Sequence, residues 1–374
     1  MKKIYPLLVL LVGRLLAADK VSHTIPEWIA LADQGDPVAL STMIDAYSKN
    51  EIDEKSMPLA FKLFLKSAEK GRLASQVIVA QMHGEGQGVA KDEAASAIWF
   101  LKAAEQGDAG SQCQVGLQYA IGVGLPKDPK TGLEWLRKSA AQKYLLAHHL
   151  LGQIYAGGKV VPRDDAEAIK WFRQAADGGY AQSQVRLGSI YAQGDGVPQD
   201  YSAAAAWYRK AAHQGSADAE LQLGVMYVKG QGLTQDYVAA RAWYEKSAAH
   251  GSSTAMLNLG ELAAQGKGGP QDFKKAGEWY GSAVELEDPR AMFNLAQLLA
   301  TGKKDVEKDE VGALALLYMA VQTTDMTARG IYQKELDQLA ARLPARKIAE
   351  AKEASRSLEE NIQMSRYMKE RYRK

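Results

Sequence analysis

The chain has 374 residues, of which 46 are Lys or Arg and 44 are Asp or Glu, so its formal net charge is +2. A charge this close to neutral gives no electrostatic footprint for nucleic acid, and a single cysteine, Cys113, excludes an internal disulfide. The charge is unevenly spread: residues 1–18 carry +3, residues 341–374 carry +5, and the body between them carries −6. A mildly acidic body with a basic tail is not typical of a DNA-binding protein.

The N-terminus has a basic start at residues 1–3, an apolar run over Ile4–Val12 and a small-residue exit at Ala18. This pattern predicts a secretory signal peptide over residues 1–18, and the apolar run is too short to span a bilayer comfortably. We therefore expect a periplasmic or secreted bacterial protein with no integral membrane segment after cleavage. An uncleaved membrane anchor is the alternative.

The next stretch, from about residue 25 to residue 324, contains a repeat of 36 residues. Six tryptophans fall at this spacing without insertion or deletion, namely Trp99, Trp135, Trp171, Trp207, Trp243 and Trp279. A fixed period of this length is the signature of a solenoid, which grows one unit at a time and has no single central core. The period predicts about eight units, of which the first and last are atypical.

The unit around Trp207 shows what each repeat forms. Residues 181–193 predict a first helix that ends at Gly194, because glycine adopts the left-handed conformation of a helix C-cap. Asp200 is well placed to cap a second helix over residues 202–213. Each unit is therefore a helix–loop–helix hairpin. Stacked hairpins predict an all-α fold, a right-handed α/α superhelix whose concave face carries the first helices.

The repeated pattern A-x-x-x-L-G-x-x-Y-x-x-G-x-G-V-x-x-D-x-x-x-A-x-x-W-[FY]-x-x-A-A-x-x-G resembles that of Sel1-like repeats, which are relatives of the tetratricopeptide repeat. For function, the resemblance implies a non-enzymatic scaffold that binds a protein partner. Similar proteins include signalling adaptors, periplasmic regulators, secreted factors that touch host proteins and parts of exopolysaccharide export machinery. An assembly scaffold for exopolysaccharide export therefore remains an alternative to a general protein-binding adaptor.

Some residues depart from the repeated pattern. Lys143 and Glu287 replace the glycine that closes a unit, and Val160 replaces the second glycine of a loop. Glycine tolerates backbone conformations that other residues adopt only with strain. We therefore expect looser geometry at these three positions.

Candidate catalytic and metal-binding residues are few. The six histidines do not have metal-ligand spacing and there is no Walker loop, so we expect no metal and no cofactor. Ser67–Lys70 fits the S-x-x-K element of penicillin-recognising serine enzymes and Lys130–Gly132 fits their K-T-G element, but an S-D-N element is absent. The register puts these two segments at the end and the start of different second helices. We expect no enzyme, with a periplasmic cell-envelope hydrolase or a peptidoglycan- or penicillin-interacting protein as the alternative.

Candidate partner-binding residues lie on the first helices, opposite the repeated Leu, Gly and Tyr positions. Residue types change there from unit to unit, which suits a groove that reads an extended peptide or a helix of a protein partner. One register line supplies Gln114, Arg186, Gln222 and Asn258, and a second supplies Gln153, Ser189 and Glu261. A polar solvated face is the alternative interpretation.

The period fades after Ala320. Apolar residues at helical spacing predict two more helices within residues 325–374, separated near Pro344. We expect the first to cap the exposed core of the last unit, as the end units of solenoids must. The second is a basic tail helix that we expect to be largely solvated.

Overall fold

The computed structural model describes residues 24–324 and 326–371, and this part of the chain contains nineteen α-helices and no β-strand. The chain divides into two compact units, unit 1 up to Asp164 and unit 2 from Asp165 onwards. The all-α class is confirmed. The predicted leader, residues 1–18, lies outside the described residues. None of the helices within those residues is both long and apolar enough to cross a bilayer.

Helices follow one another as hairpins in both units. In unit 1 they are α1 (Ile25–Asp33), α2 (Pro37–Ser48), α3 (Met57–Glu69), α4 (Leu73–Glu85), α5 (Glu93–Glu105), α6 (Ala109–Ile121), α7 (Pro129–Ala141) and α8 (Leu145–Gly157). In unit 2 they are α9 (Asp165–Asp177), α10 (Ala181–Gln193), α11 (Tyr201–Ala212), α12 (Ala217–Lys229), α13 (Tyr237–Ala249), α14 (Ser253–Gln265), α15 (Phe273–Val284), α16 (Pro289–Thr301), α17 (Glu310–Thr323), α18 (Met326–Ala340) and α19 (Ala345–Arg371). Even-numbered helices from α2 to α16 are the first helices of their repeats.

Local residues set the helix ends, as the sequence predicts. The aspartate before each second helix accepts hydrogen bonds from N–H groups of the first turn, at Asp92, Asp128, Asp200, Asp236 and Asp272. Six of the eight first helices are followed by a glycine in the left-handed conformation, at Gly86, Gly122, Gly158, Gly194, Gly230 and Gly266. Helix bounds therefore repeat with the 36-residue period.

The centre of each hairpin is occupied by the residue that follows the tryptophan. Tyr208 is buried, and its ring lies so close to Gly188 that a Cβ on that glycine would come within 2.6 Å of a ring carbon. Four of the tryptophans lie under a lysine ammonium three residues further on, at 3.8 to 4.2 Å from the ring, in the pairs Trp99–Lys102, Trp135–Lys138, Trp207–Lys210 and Trp243–Lys246. The absence of a side chain at Gly188 thus leaves space for the Tyr208 ring between the two helices of the hairpin.

Lys143 and Glu287 keep the turn of the glycines that they replace. Their φ angles are 63° and 59°, in the left-handed region. The expectation of looser geometry is therefore wrong at these two positions, because the same turn is made at a cost in backbone strain.

We expect Lys143→Gly to raise the free energy of unfolding of unit 1 by about 0.5 kcal/mol. Relief of the left-handed strain exceeds the entropy that glycine adds to the unfolded chain. The reverse change, Gly107→Lys at the equivalent position, where φ is 95° and the space beside the glycine is open, serves as the matched control and should destabilise. Urea unfolding curves of the three proteins measure both effects. A lower midpoint for Lys143→Gly would contradict the strain argument.

Helix α19 is not simply a solvated tail. Ala351, Ser355 and Ile362 on its inner side are buried, and it packs against α17. Leu336 and Leu339 of α18 are buried in the same cluster. Both helices therefore cover the core of the last repeat; α19 does so through one narrow side, while most of residues 345–362 are exposed, as expected of a largely solvated helix.

Candidate partner-binding face

We call the surface formed by the first helices the A-face, made of α2, α4, α6 and α8 in unit 1 and of α10, α12, α14 and α16 in unit 2. All seven predicted partner-binding residues lie on these helices. Gln153 on α8 and Arg186 on α10 are exposed. The other five are half-buried, namely Gln114, Ser189, Gln222, Asn258 and Glu261.

In unit 2, two of the predicted residues lie beside buried tyrosines. Ser189 is close to the hydroxyl of Tyr208, and Asn258 is close to that of Tyr244. Burial raises the pKa of both tyrosines, so their hydroxyl groups stay protonated and need partners. Ser189 and Asn258 are therefore half-buried and closer to the core than the expected position on the side away from it.

Glu261 is the centre of a second polar group in unit 2. The side chain of Asn294 on α16 lies close to both the Glu261 carboxylate and the hydroxyl of Tyr280. Burial raises the pKa of Glu261, while Asn294 and the charge of Arg290 act in the opposite direction. Burial, and secondarily the charge of Glu261, raises the pKa of Tyr280 to about 12. The cluster is a half-buried network that carries one desolvated carboxylate.

We expect Glu261→Gln to stabilise unit 2 at pH 7 but not at pH 4. Because the pKa of Glu261 is raised in the folded state, that state binds the proton more tightly, and wild-type stability falls as the pH rises through the raised pKa. Glutamine carries no charge at either pH value and therefore removes this loss. Thermal unfolding at the two pH values measures the difference. An equal effect of the substitution at both values would show that desolvation of Glu261 does not contribute.

Unit 1 carries an open groove, which we call the unit 1 groove, formed by two adjoining cavities that share Gln81 and Glu85 of α4. The outer cavity has a volume of about 610 Å³ and lies over α2 and α4, with an apolar floor that includes Ile44, Val77 and Ile78. A chain of hydrogen bonds forms one side. Within it, the Tyr47 hydroxyl donates to Gln87 at 2.7 Å, and Gln87 donates to Glu85 at 2.7 Å.

The inner cavity has a volume of about 390 Å³ and lies between α4, α5 and α6. Its lining includes Glu85, Glu93, Gln114 and Gln118. Gln118 is 5% exposed, and its Oε1 atom has no hydrogen-bond partner. The corresponding positions of six other repeats hold only apolar residues, namely Met82, Ile154, Ile190, Met226, Leu262 and Leu298. Gln114 is one of the residues that the repeat register predicts for partner binding, whereas Gln118 was not predicted, although it differs from the apolar residues at the same position of the other repeats.

The residues that match serine-enzyme motifs are used structurally. Ser67 is buried at the end of α3, where its hydroxyl accepts a hydrogen bond from Ser75 at 2.8 Å. Thr131 lies in the first turn of α7 and donates its hydroxyl to the capping residue Asp128 at 2.7 Å. Within residues 24–324 and 326–371, no group of three His, Cys, Asp or Glu side chains is arranged to hold a metal ion.

The arrangement of helix hairpins defines the class of protein as an α-solenoid. The family model described as the Sel1 repeat matches eight segments, at residues 53–71, 73–108, 109–144, 145–180, 181–216, 217–252, 253–288 and 289–322. These matches cover well over half of the chain. The chain belongs to the Sel1 repeat family.

Two solved structures are similar over most of the chain. One is c5321, a protective antigen of uropathogenic Escherichia coli with an SLR fold, at 29% identity and a TM-score of 0.71, over 90% of this chain and 71% of that one. The other is a Sel1 repeat protein from Oxalobacter formigenes, at 29% identity and a TM-score of 0.66, over 85% of this chain and 92% of that one. No curated protein sequence matches this chain significantly. Solenoids of this family are typical of protein–protein interaction.

Proposed function

We propose that this protein is a non-enzymatic scaffold that binds a protein partner through its A-faces. The observation that carries the proposal is the unit 1 groove, which is open, lies on first helices and has an apolar floor beside polar side chains. Apolar floors with a few placed polar groups are typical of surfaces that hold a peptide segment. A general adaptor and an assembly scaffold in polysaccharide export are two forms of this proposal.

Site-specific photo-crosslinking in the producing cells tests the proposal. A photoreactive amino acid replaces exposed A-face residues, Gln153 in unit 1 and Arg186 in unit 2. Matched controls carry it at exposed positions of second helices, Glu134 on α7 and Ala206 on α11. We expect a protein adduct from the A-face positions that the control positions do not give. Adducts only from the second helices, or turnover of a cell-wall substrate without any adduct, would contradict the scaffold proposal.

The hydrolase alternative has no support from the arrangement of residues. Its candidate nucleophile, Ser67, is buried against Ser75, and its K-T-G segment begins a helix whose cap occupies the Thr131 hydroxyl. A nucleophile must reach substrate and an adjacent base. Neither group is placed to do so.

We further propose that the protein is exported to the periplasm or secreted. The basic start, short apolar run and small-residue exit of residues 1–18 support this proposal. The intact mass of the protein from the producing cells tests it, because cleavage near Ala18 removes a defined N-terminal segment. A mature protein that keeps Met1 would contradict it.

A further inference from the structure

In unit 2, one register position of the first helices is polar in every repeat. We call the residues there the polar row, namely Arg186 on α10, Gln222 on α12, Asn258 on α14 and Asn294 on α16. Arg186 is exposed and the three amide side chains are half-buried. In unit 1 the same position includes the large apolar residues Ile78 and Leu150. The helix hairpin itself therefore does not require a polar residue at this position.

The polar row has hydrogen-bonding capacity that the fold does not use. Among the described residues, neither Arg186 nor Gln222 has a side-chain hydrogen bond or an ion pair. The Arg186 guanidinium lies 6.0 Å from the centroid of the buried Phe172 ring, which orients the group without neutralising its charge. Asn258 and Asn294 each lie beside a buried tyrosine hydroxyl. Because a side-chain amide has both donors and acceptors, one such neighbour leaves further capacity free.

The spacing of the polar row matches the main chain of an extended peptide. Successive first helices lie side by side, since Arg290 of α16 donates a hydrogen bond to Thr254, the equivalent residue of α14, at 2.9 Å. Helices packed in this way are about 8–10 Å apart, and three residues of an extended chain span roughly 10 Å. An extended segment can therefore bring a peptide group to each amide of the row. The two kinds of group are complementary, because both combine an N–H donor with a carbonyl acceptor.

The charge of the polar row identifies one side chain of the segment. Gln222, Asn258 and Asn294 carry no charge, so Arg186 is a single cation at one end of a neutral row. A guanidinium pairs most strongly with a carboxylate, through two parallel hydrogen bonds. A neutral oligosaccharide would use the amides but would leave Arg186 without a counter-charge. A peptide with an acidic residue at one end complements all four side chains.

We propose that the polar row of unit 2 binds an extended segment of a protein partner. The main chain of the segment pairs with Gln222, Asn258 and Asn294, and an aspartate or glutamate side chain of the segment pairs with Arg186. This inference rests on the proposed scaffold function and specifies one binding site within it.

A random dodecapeptide display library panned on the full chain tests the proposal. We expect the selected peptides to share an acidic residue, and dissociation constants of a selected synthetic peptide are measured by fluorescence anisotropy. Arg186→Gln, Gln222→Leu and replacement of the acidic residue of the peptide by its amide should each weaken binding at least tenfold. Gln114→Leu, at the same register position in unit 1, is the matched control and should not change binding.

Two further measurements address the charge and the main chain. Panning on Arg186→Glu should select peptides with a basic residue in place of the acidic one, because the charge at the end of the row is reversed. N-methylation of the synthetic peptide, one residue at a time, should weaken binding at about every third residue, where a peptide group meets an amide of the row. Uniform tolerance of N-methylation would overturn the pairing with the main chain.

Melting temperatures separate binding from folding. Neither Arg186→Gln nor Gln222→Leu should shift the melting temperature by more than about 2 °C, since the fold does not use these side chains. A larger decrease, no selected peptide, selected peptides without an acidic residue, binding that depends on Gln114 instead of Gln222, or binding of labelled maltoheptaose that Gln222→Leu abolishes would each overturn the proposal. Photo-crosslinks from Gln153 in unit 1 do not depend on the polar row, so the scaffold function and this site fail separately.

Discussion

Gly124→Ala is expected to lower the free energy of unfolding of unit 1 by about 3 kcal/mol. Gly124 lies in the loop after α6 with φ 71°, where a side chain is strained by roughly 1–2 kcal/mol. A Cβ there would also lie 2.8 Å from the carbonyl carbon of Glu93 and 2.9 Å from the Ala97 Cβ. Backbone atoms of α5 cannot turn aside as a flexible side chain can, so this overlap adds roughly 1–3 kcal/mol.

Gly71→Ala is the matched control for Gly124→Ala. Gly71 also has positive φ, 82°, but a Cβ there would meet no atom within 4 Å. Its substitution should cost only the backbone strain, about 1 kcal/mol. Urea unfolding followed by tryptophan fluorescence gives both values, and hydrogen exchange should show loss of protection in α5 for Gly124→Ala alone. Equal losses for the two variants would show that close contact between the loop and α5 does not contribute.

His250→Ala is expected to lower the stability of unit 2 by about 2 kcal/mol, which is typical for removal of a partner from a buried charged group. Glu220 on α12 is 2% exposed, and its Oε2 atom lies 2.8 Å from Nδ1 of His250. Three other repeats have a glutamine pair in the same register, Gln76–Gln106, Gln112–Gln142 and Gln184–Gln214, with distances of 2.6 to 2.9 Å. Alanine at position 250 leaves the buried carboxylate without its partner.

The glutamine pairs of the other repeats indicate a double variant that should restore the stability lost in His250→Ala. In them the inner glutamine also donates to a backbone carbonyl, as Gln184 does to Ala176 at 3.0 Å, which an ionised glutamate cannot do. The double variant Glu220→Gln with His250→Gln should therefore recover wild-type stability or exceed it. His213→Ala, at the exposed C-cap of α11, should change stability by less than about 0.5 kcal/mol. A double variant as unstable as His250→Ala would contradict the equivalence of the two kinds of pair.

Helix ends and repeat boundaries were predictable because local residues determine them. Asp200 caps the helix that begins at the next residue, and Gly194 ends the one before it, so their spacing in the sequence already contains the geometry. Lys143 is an exception, because its own backbone preference does not favour the turn that it makes. The neighbouring repeats packed on either side hold the turn even where the residue does not favour it.

Candidate binding residues were predictable as positions on a helix but not as free side chains. Helical spacing correctly placed Ser189 and Asn258 on first helices. It did not show that each lies beside the hydroxyl of a buried tyrosine. Those tyrosines come from second helices, and these contacts depend on how closely two helices pack. A pattern within one helix contains no information on that distance.

Sequence alone determined that the chain is an α-solenoid of 36-residue hairpins, since turn glycines, capping aspartates and small-to-aromatic packing positions are short-range features repeated at a fixed period. Only the tertiary structure decided which polar side chains are satisfied and which are left over. Glu220 finds its partner 30 residues away, whereas Gln118 has none for its carbonyl oxygen. The physical reason is that hydrogen bonding between side chains depends on distances of tenths of an ångström between stacked repeats, which the period of the sequence does not specify.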